Sequence, residues 1–141
     1  MLYALLCYNR EDVVGMWSQE YDRAVMAHHA AVERKLAAAG KVGPVVRLMP
    51  TTTATSVRVA RQTAIIDGPF AETKEQLLGF YIVDCASLEE AIEIATELTH
   101  EAGALEIRPI QHFSDLSNPL RNGAGGAGSE ADTTEAKRGS Q

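Results

Sequence analysis

Cysteine is scarce in this sequence: only Cys7 and Cys85 occur, 78 positions apart and each inside an apolar segment. Two thiols at this spacing form neither a disulfide framework nor the ligand pairs of a zinc site. We therefore expect both to be buried thiols, the usual environment of unpaired cysteine. His100 and His112 are isolated in the sequence, so we also expect no metal site.

Basic clusters and long apolar runs are missing as well. The formal net charge is −6, and binding to nucleic acid needs a concentrated basic face, so no nucleic-acid partner is expected. The apolar run at residues 2–8 is too short to span a membrane and has no basic flank typical of a signal peptide. We expect a cytoplasmic protein with no membrane partner.

Glycine-rich phosphate loops and nucleophile elbows are also absent. We therefore expect no cofactor, so any catalysis has to come from the protein's own side chains. The composition, 45% hydrophobic and 23% charged residues, is that of an ordinary globular protein. A chain of 141 residues is long enough to bury the core of one domain without disulfides.

The apolar pattern alternates between the periods of strands and of helices. The predicted elements are a strand at 2–8, a helix at 18–39, an irregular strand and a hairpin within 42–66, a strand at 79–85, a helix opened by a capping box at Ser87 and Glu90, and a strand at 104–113. They make up one domain, residues 1–113. Residues 114–141 are mostly small and polar, which predicts a flexible low-complexity tail.

This order of elements predicts an α+β fold, a ferredoxin-like sandwich of the βαββαβ type with an extra hairpin. Both long helices cover one face of a mainly antiparallel sheet. The other face has no predicted helix, and an apolar face of that kind needs a partner. We therefore expect a homodimer in which two sheets pack face to face.

The stretch "DGPFAETKEQLLGFY", residues 67–81, combines a turn signal with an apolar loop residue. Asp67 follows the apolar strand "TAII", so its carboxylate is expected at the lip of the core, where partial burial raises a pKa. Phe70 is a candidate for a pocket wall. The simpler interpretation is a loop that leaves the sheet, with a helical turn at residues 71–77 and a close backbone approach at Gly79.

Two adjacent histidines on the first predicted helix differ in direction. His29 lies on the apolar face, four residues after Val25 and three before Val32, whereas His28 faces away from it. An inward imidazole is often a core histidine with a hydrogen-bond partner. With Asp67 as that partner, the pair is instead a proton-transfer unit, because a carboxylate fixes the imidazole tautomer and raises its basicity.

The string "DGPFAETKEQLLGFYIVD", with "TTTATSVRV" before it and "ALEIRPI" after it, resembles the DGPF subgroup of the YCII-related domain family over residues 1–113. The resemblance implies a ferredoxin-like domain that pairs into a dimeric α+β barrel. It also implies a histidine in the first helix eleven residues before a glycine, which His29 and Gly40 satisfy. In related small members a His and an Asp are a proposed active site, and one branch eliminates chloride from a chlorinated hydroxylated aromatic. That aspartate stands in a D-P-Y motif, in place of which this sequence has "HEAGALE".

Two functions are compatible with these residues. The first is a cofactor-free enzyme that transfers a proton in the elimination or isomerisation of a small organic molecule, with His29 and Asp67 as catalytic residues. The candidate substrate-binding residues are Phe70, Glu72, Lys74, Tyr8 and Tyr81. Charged pairs are more often a solvated face, and tyrosines on strands are first of all core residues. The second function is a non-catalytic module that binds a small ligand or a protein, and the resemblance links it to transcription regulation near alternative sigma factors.

Overall fold

The computed structural model describes residues 1–99 and 103–117. Within these two ranges, no helix combines the length and the apolar character needed to cross a bilayer. The predicted low-complexity tail, 114–141, lies outside the described residues apart from its first four.

The chain divides into two compact units, Met1–Ile110 and Gln111–Gln141. The described part of the second unit contains a turn in which Asp115 Oδ1 accepts the Ser117 N–H at 3.0 Å. The first unit contains the regular elements, in the order β1 Leu2–Asn9, α1 Glu11–Gly15, α2 Gln19–Ala38, β2 Val42–Arg47, a 3-10 turn Thr51–Thr53, β3 Thr55–Val59, β4 Thr63–Asp67, β5 Gln76–Asp84, α3 Leu88–Leu98 and β6 Ala104–Pro109.

Four strands form an antiparallel sheet in the order β2-β5-β1-β6, and β3 pairs with β4 as a separate hairpin. Leu5 of β1 lies opposite Tyr81 of β5 and opposite Ile107 of β6, so β1 is central. The predicted edge position of Pro109 is confirmed, because β6 is an edge strand. The strand ends at Pro109 rather than at residue 113, since proline has no N–H to continue the pairing. The antiparallel sheet with its helices confirms the predicted ferredoxin-like α+β class, while the homodimer stays a prediction.

Helix α2 is fixed at its start by a cap and along its length by an apolar stripe. Ser18 Oγ accepts the Tyr21 N–H at 3.0 Å, which satisfies one of the unpaired donors at the helix start. The buried residues of α2 are Val25, Val32 and Leu36, the spacing of one helical face. The last two join a core cluster with buried residues of β1, β5 and α3. This packing sets the rotation of the helix and thereby the direction of its other side chains.

Two short segments differ from the interpretation of the sequence. Helix α1 was not predicted, because its five residues are too few to show an apolar repeat. The helical turn expected at residues 71–77 is wrong: Gln76 already belongs to β5, and its Nε2 donates to the Thr73 carbonyl at 2.6 Å. A side-chain hydrogen bond thus closes this turn in place of helical backbone bonds.

Strand β5 is irregular near its start. Its register against β1 shifts between Cys7 and Tyr8, which leaves Leu78 as an extra residue. The next residue, Gly79, approaches β2 so closely that a Cβ there would overlap the Val46 carbonyl oxygen. The close approach predicted at Gly79 is confirmed. A bulge of this kind bends the strand and redirects its side chains at this end of the sheet.

Candidate functional site

One end of the sheet borders a cavity of about 540 Å³. Residues of α1 and α2 form one side, the ends of β1, β5 and β6 form another, and residues 45–50 complete the wall. The lining is mostly apolar and includes Trp17, Met26 and Met49. A cavity of this size and character is typical of a small-molecule site.

His29 projects from α2 into the wall of this cavity and is half-buried, whereas His28 is exposed. Its Nε2 donates to the Leu98 carbonyl oxygen at 3.2 Å, and its ring meets the Tyr81 ring edge-on with the centroids 6.2 Å apart. A carbonyl oxygen only accepts, so this bond assigns the proton to Nε2 and the lone pair to Nδ1 in the neutral ring. The predicted inward direction of His29 is confirmed.

Tyr81 and Cys7 line the same cavity and keep their protons. Burial, together with the charges of Cys7 and Glu33, raises the pKa of the Tyr81 hydroxyl well above its ordinary value. Burial also raises the pKa of the Cys7 thiol to about 11, so it is a thiol rather than a nucleophilic thiolate at neutral pH. The expected burial is confirmed for Cys85, whereas Cys7 is half-buried.

The structure separates the predicted site residues into two groups. His29, Tyr8 and Tyr81 line the cavity. Asp67, Phe70, Glu72 and Lys74 are exposed and do not line it. The partial burial expected for Asp67 is not found, because β4 belongs to the separate hairpin and its end is not the lip of the core. The cavity of one chain therefore does not bring Asp67 beside His29, and the roles of the exposed residues stay predictions.

The sequence did not single out three charged residues of the cavity wall, Glu11, Glu33 and Arg47. Glu33 follows His29 by one helical turn, and this spacing places both side chains on one helix face. That spacing was a signal that could have found Glu33. Glu11 and Arg47 belong to α1 and β2, and only the folded chain brings these elements to one cavity.

Glu11 ties α1 to the segment after β2 at the rim of the cavity. Its carboxylate accepts the backbone N–H of Thr51 at 2.8 Å and the Thr51 hydroxyl at 2.6 Å. Its own backbone N–H donates to Gln76 Oε1 at 3.0 Å. The two bonds to the Glu11 carboxylate are charge-assisted and therefore stronger than neutral hydrogen bonds. Together the three bonds hold this part of the cavity wall in place.

The chemistry that the cavity offers is acid–base chemistry. Its wall holds an imidazole, a protonated phenol and a protonated thiol among apolar groups. Within residues 1–99 and 103–117, no group of three His, Cys, Asp or Glu side chains is arranged to hold a metal ion. The expectation that no cofactor is required stays a prediction.

Most of the chain is similar in sequence to known proteins. The YCII-related domain family matches residues 1–114, a range that contains every strand and helix given above. An uncharacterized protein of Rhizobium meliloti (strain 1021) is 55% identical over 114 residues, which cover 78% of this chain and 92% of that relative. A match of this extent shows the family, and the chain belongs to the YCII-related domain family.

Proposed function

We propose that this protein binds a small apolar organic molecule in the cavity and that His29 transfers a proton to or from it without a cofactor. One observation carries the proposal: a half-buried imidazole stands in the wall of a mostly apolar cavity of about 540 Å³. Histidine titrates near neutral pH and is the commonest general acid or base. An apolar cavity also keeps water away from the reacting atoms.

The contacts of His29 support this role. The hydrogen bond from Nε2 to the Leu98 carbonyl oxygen fixes the ring, as a backbone carbonyl or a carboxylate does for many functional histidines. Tyr81 packs edge-on against the ring and provides a protonated hydroxyl. Two reactions need no more than these groups: isomerisation, in which the proton returns to the substrate, and elimination, in which an anion leaves the substrate after proton removal.

Solvent deuterium exchange tests this function. The protein is incubated in D2O with a panel of small carbonyl compounds, and loss of the acidic C–H signal is followed by proton NMR. We expect His29→Gln to slow this exchange by roughly 100-fold or more, because the amide cannot accept the proton, while the compounds still bind. His28→Gln is the matched control, since His28 is adjacent but exposed. Equal exchange rates in the wild type and in His29→Gln would remove His29 from the mechanism.

A binding module without catalysis is the second candidate. It is favoured by the bond from His29 to a backbone carbonyl, which a purely structural histidine also makes. The exposed apolar side chains of β3 and β4 suit a protein partner as well. In this form the domain recognises a small ligand or a protein in transcription regulation, in association with a sigma factor. Ligand binding that persists in His29→Gln, with no exchange in the wild type, supports this candidate.

A homodimer with the two sheets face to face is the assembly that we propose for either function. The sheet face turned away from the helices carries half-buried apolar residues at alternating positions of β1, such as Ala4 and Leu6. A second copy stabilises such a face by removing it from water. Asp67 and Phe70 are exposed on and after β4, so a dimer is the assembly in which these two residues can contribute to a site.

We also assign the chain to the DGPF subgroup, on the string "DGPFAETKE" at residues 67–75. In the turn at its start, Gly68 has a φ of +95°, a left-handed conformation that suits glycine, and its N–H donates to the Ala54 carbonyl at 2.6 Å. A cytoplasmic location is part of the same proposal. It is supported by the two unpaired thiols, Cys7 and Cys85, which are stable in a reducing compartment.

A further inference from the structure

The charged side chains in the cavity wall differ in whether another group of the protein forms an ion pair or a hydrogen bond with them. Arg47 donates from Nη2 to Asp22 Oδ1 at 3.0 Å, an ion pair. Glu11 accepts two hydrogen bonds from Thr51, at 2.8 and 2.6 Å. These two side chains therefore have fixed partners, and a ligand would have to compete with them.

Glu33 is the exception. In the part of the chain that the structure describes, its carboxylate makes no hydrogen bond and no ion pair, although Arg34 is its neighbour in sequence. The side chain is half-buried in the cavity wall. Its charge acts on the Tyr81 hydroxyl, whose pKa is raised first by burial, then by Cys7 and then by Glu33. The charge in the cavity wall that has no partner among the described residues is thus the negative charge of Glu33, and it acts on Tyr81.

Glu33 is half-buried and its carboxylate has no protein partner among the described residues, so a ligand that covers the carboxylate displaces the water around it. Removing a charged group from water is unfavourable unless another charge or a donor replaces the lost hydration. An ammonium group does both, because it forms a charge-assisted hydrogen bond with the carboxylate. Aromatic residues in the same wall, such as Trp17 and Tyr8, add attraction for a cation. A ligand carboxylate in the same place would be repelled.

We infer that the ligand of this cavity is a small apolar amine, with its ammonium group on the Glu33 carboxylate and its hydrocarbon part against the apolar wall. The inference rests on the proposed function for the location of the site and adds the class of ligand. His29 and Glu33 are separated by one helical turn, which places their Cβ atoms about 5–6 Å apart. His29 therefore faces the carbon atoms near the nitrogen of the bound amine.

Three probes of nearly equal shape test the inference: benzylamine, benzyl alcohol and benzoate. Binding to the full chain is measured by NMR titration at pH 7. We expect benzylamine to bind about tenfold or more tightly than benzyl alcohol, because a hydrogen bond to a charged group is stronger than a neutral one, and benzoate to bind most weakly. In Glu33→Gln the amine should bind no better than the alcohol, whose affinity is unchanged. Glu20→Gln is the matched control, since Glu20 is exposed on the same helix and should keep the preference.

The outcomes distinguish a failure of the amine inference from a failure of the cavity as a binding site. Equal binding of amine and alcohol to the wild type, or an amine preference that survives in Glu33→Gln, overturns the inference and leaves the cavity as a site for neutral molecules. Binding of none of the three probes overturns the inference and counts against the cavity as a binding site. Circular dichroism shows whether Glu33→Gln is folded. If it is not, the ranking of the three probes on the wild type still decides.

Discussion

At the scale of the residue, Gly79 shows how closely β5 and β2 approach. A Cβ at this position would overlap the Val46 carbonyl oxygen and lie 3.1 Å from Arg47 Cα, both backbone atoms that cannot rotate away. We expect Gly79→Ala to lower the free energy of unfolding by about 3 kcal/mol, measured by urea denaturation. Gly15→Ala is the control, because nothing lies within 4 Å of a Cβ there. Similar midpoints for the two variants would show that β2 moves at little cost.

The residues of the site show which structural features the apolar period of a sequence can predict and which it cannot. Helical phase predicted the direction of His29, because the apolar stripe of α2 fixes the rotation of every side chain on the helix. It did not predict an acidic neighbour. Asp67 is predicted at the lip of the core because it follows an apolar run, but this run is β4, whose five residues are all exposed. The distance between two residues on different elements depends on tertiary packing, which spacing in the sequence does not contain.

At the scale of the element, the start of α3 depends on a carboxylate with two partners. Ser87 Oγ accepts the Glu90 N–H at 3.2 Å, which confirms the first half of the predicted capping box. The Glu90 carboxylate accepts the Ala86 N–H at 2.7 Å, one residue earlier than expected, and also pairs with the Lys41 ammonium. The Lys41 bond, followed by the Ala86 bond, lowers the pKa of Glu90 below its ordinary value.

This arrangement predicts how stability depends on pH. A carboxyl group whose pKa is lower in the folded state stabilises the fold above its unfolded pKa, about 4.3 for Glu, and this stabilisation is lost as the pH falls through the folded value. We expect the melting temperature of the wild type to fall as the pH drops below about 5, and Glu90→Gln to have a lower melting temperature at pH 7 and a flatter profile. Differential scanning calorimetry measures both.

Glu89→Gln is the control for this profile, since Glu89 is exposed in the same first turn of α3. It removes the same charge near the helix start without removing the bonds to Ala86 and Lys41. If both variants flatten the profile equally, the general charge at the helix start is responsible rather than the bonds of Glu90.

Elements with an apolar period were predictable and those without one were not. The strands of the sheet and the helices α2 and α3 follow directly from their apolar patterns. Helix α1 and the turn before Gln76 are too short to have a period. The Gln76 side chain bonds to both: its Oε1 accepts the Glu11 N–H and its Nε2 donates to the Thr73 carbonyl. The cavity lies between such segments and the sheet. Its existence depends on how short elements pack, and this explains why the fold was predictable while most of the cavity wall was not.

At the scale of the whole molecule, the hairpin of β3 and β4 is a feature with several exposed apolar side chains. Val57 lies opposite Ile65, with exposed fractions of 62% and 74%, so one face of the hairpin is apolar and open to water. Phe70, just after the hairpin, is 79% exposed. A two-stranded hairpin is marginally stable in water by itself. In the homodimer that we propose, this face of the hairpin is expected to be covered by the second copy and to extend the interface between the two sheets.

The mass of the protein in solution tests this assembly. One chain has a mass of 15.2 kDa, and light scattering after size exclusion should give twice that mass for the wild type. Val57→Lys combined with Ile65→Lys should give the mass of one chain, because burying two ammonium groups without partners is strongly unfavourable. Ala64→Lys is the matched control: Ala64 is exposed and lies one position from Ile65, so its side chain is on the other face of the hairpin. A wild type that has the mass of one chain at micromolar concentration excludes the homodimer, and with it any contribution of Asp67 to the site of a second copy.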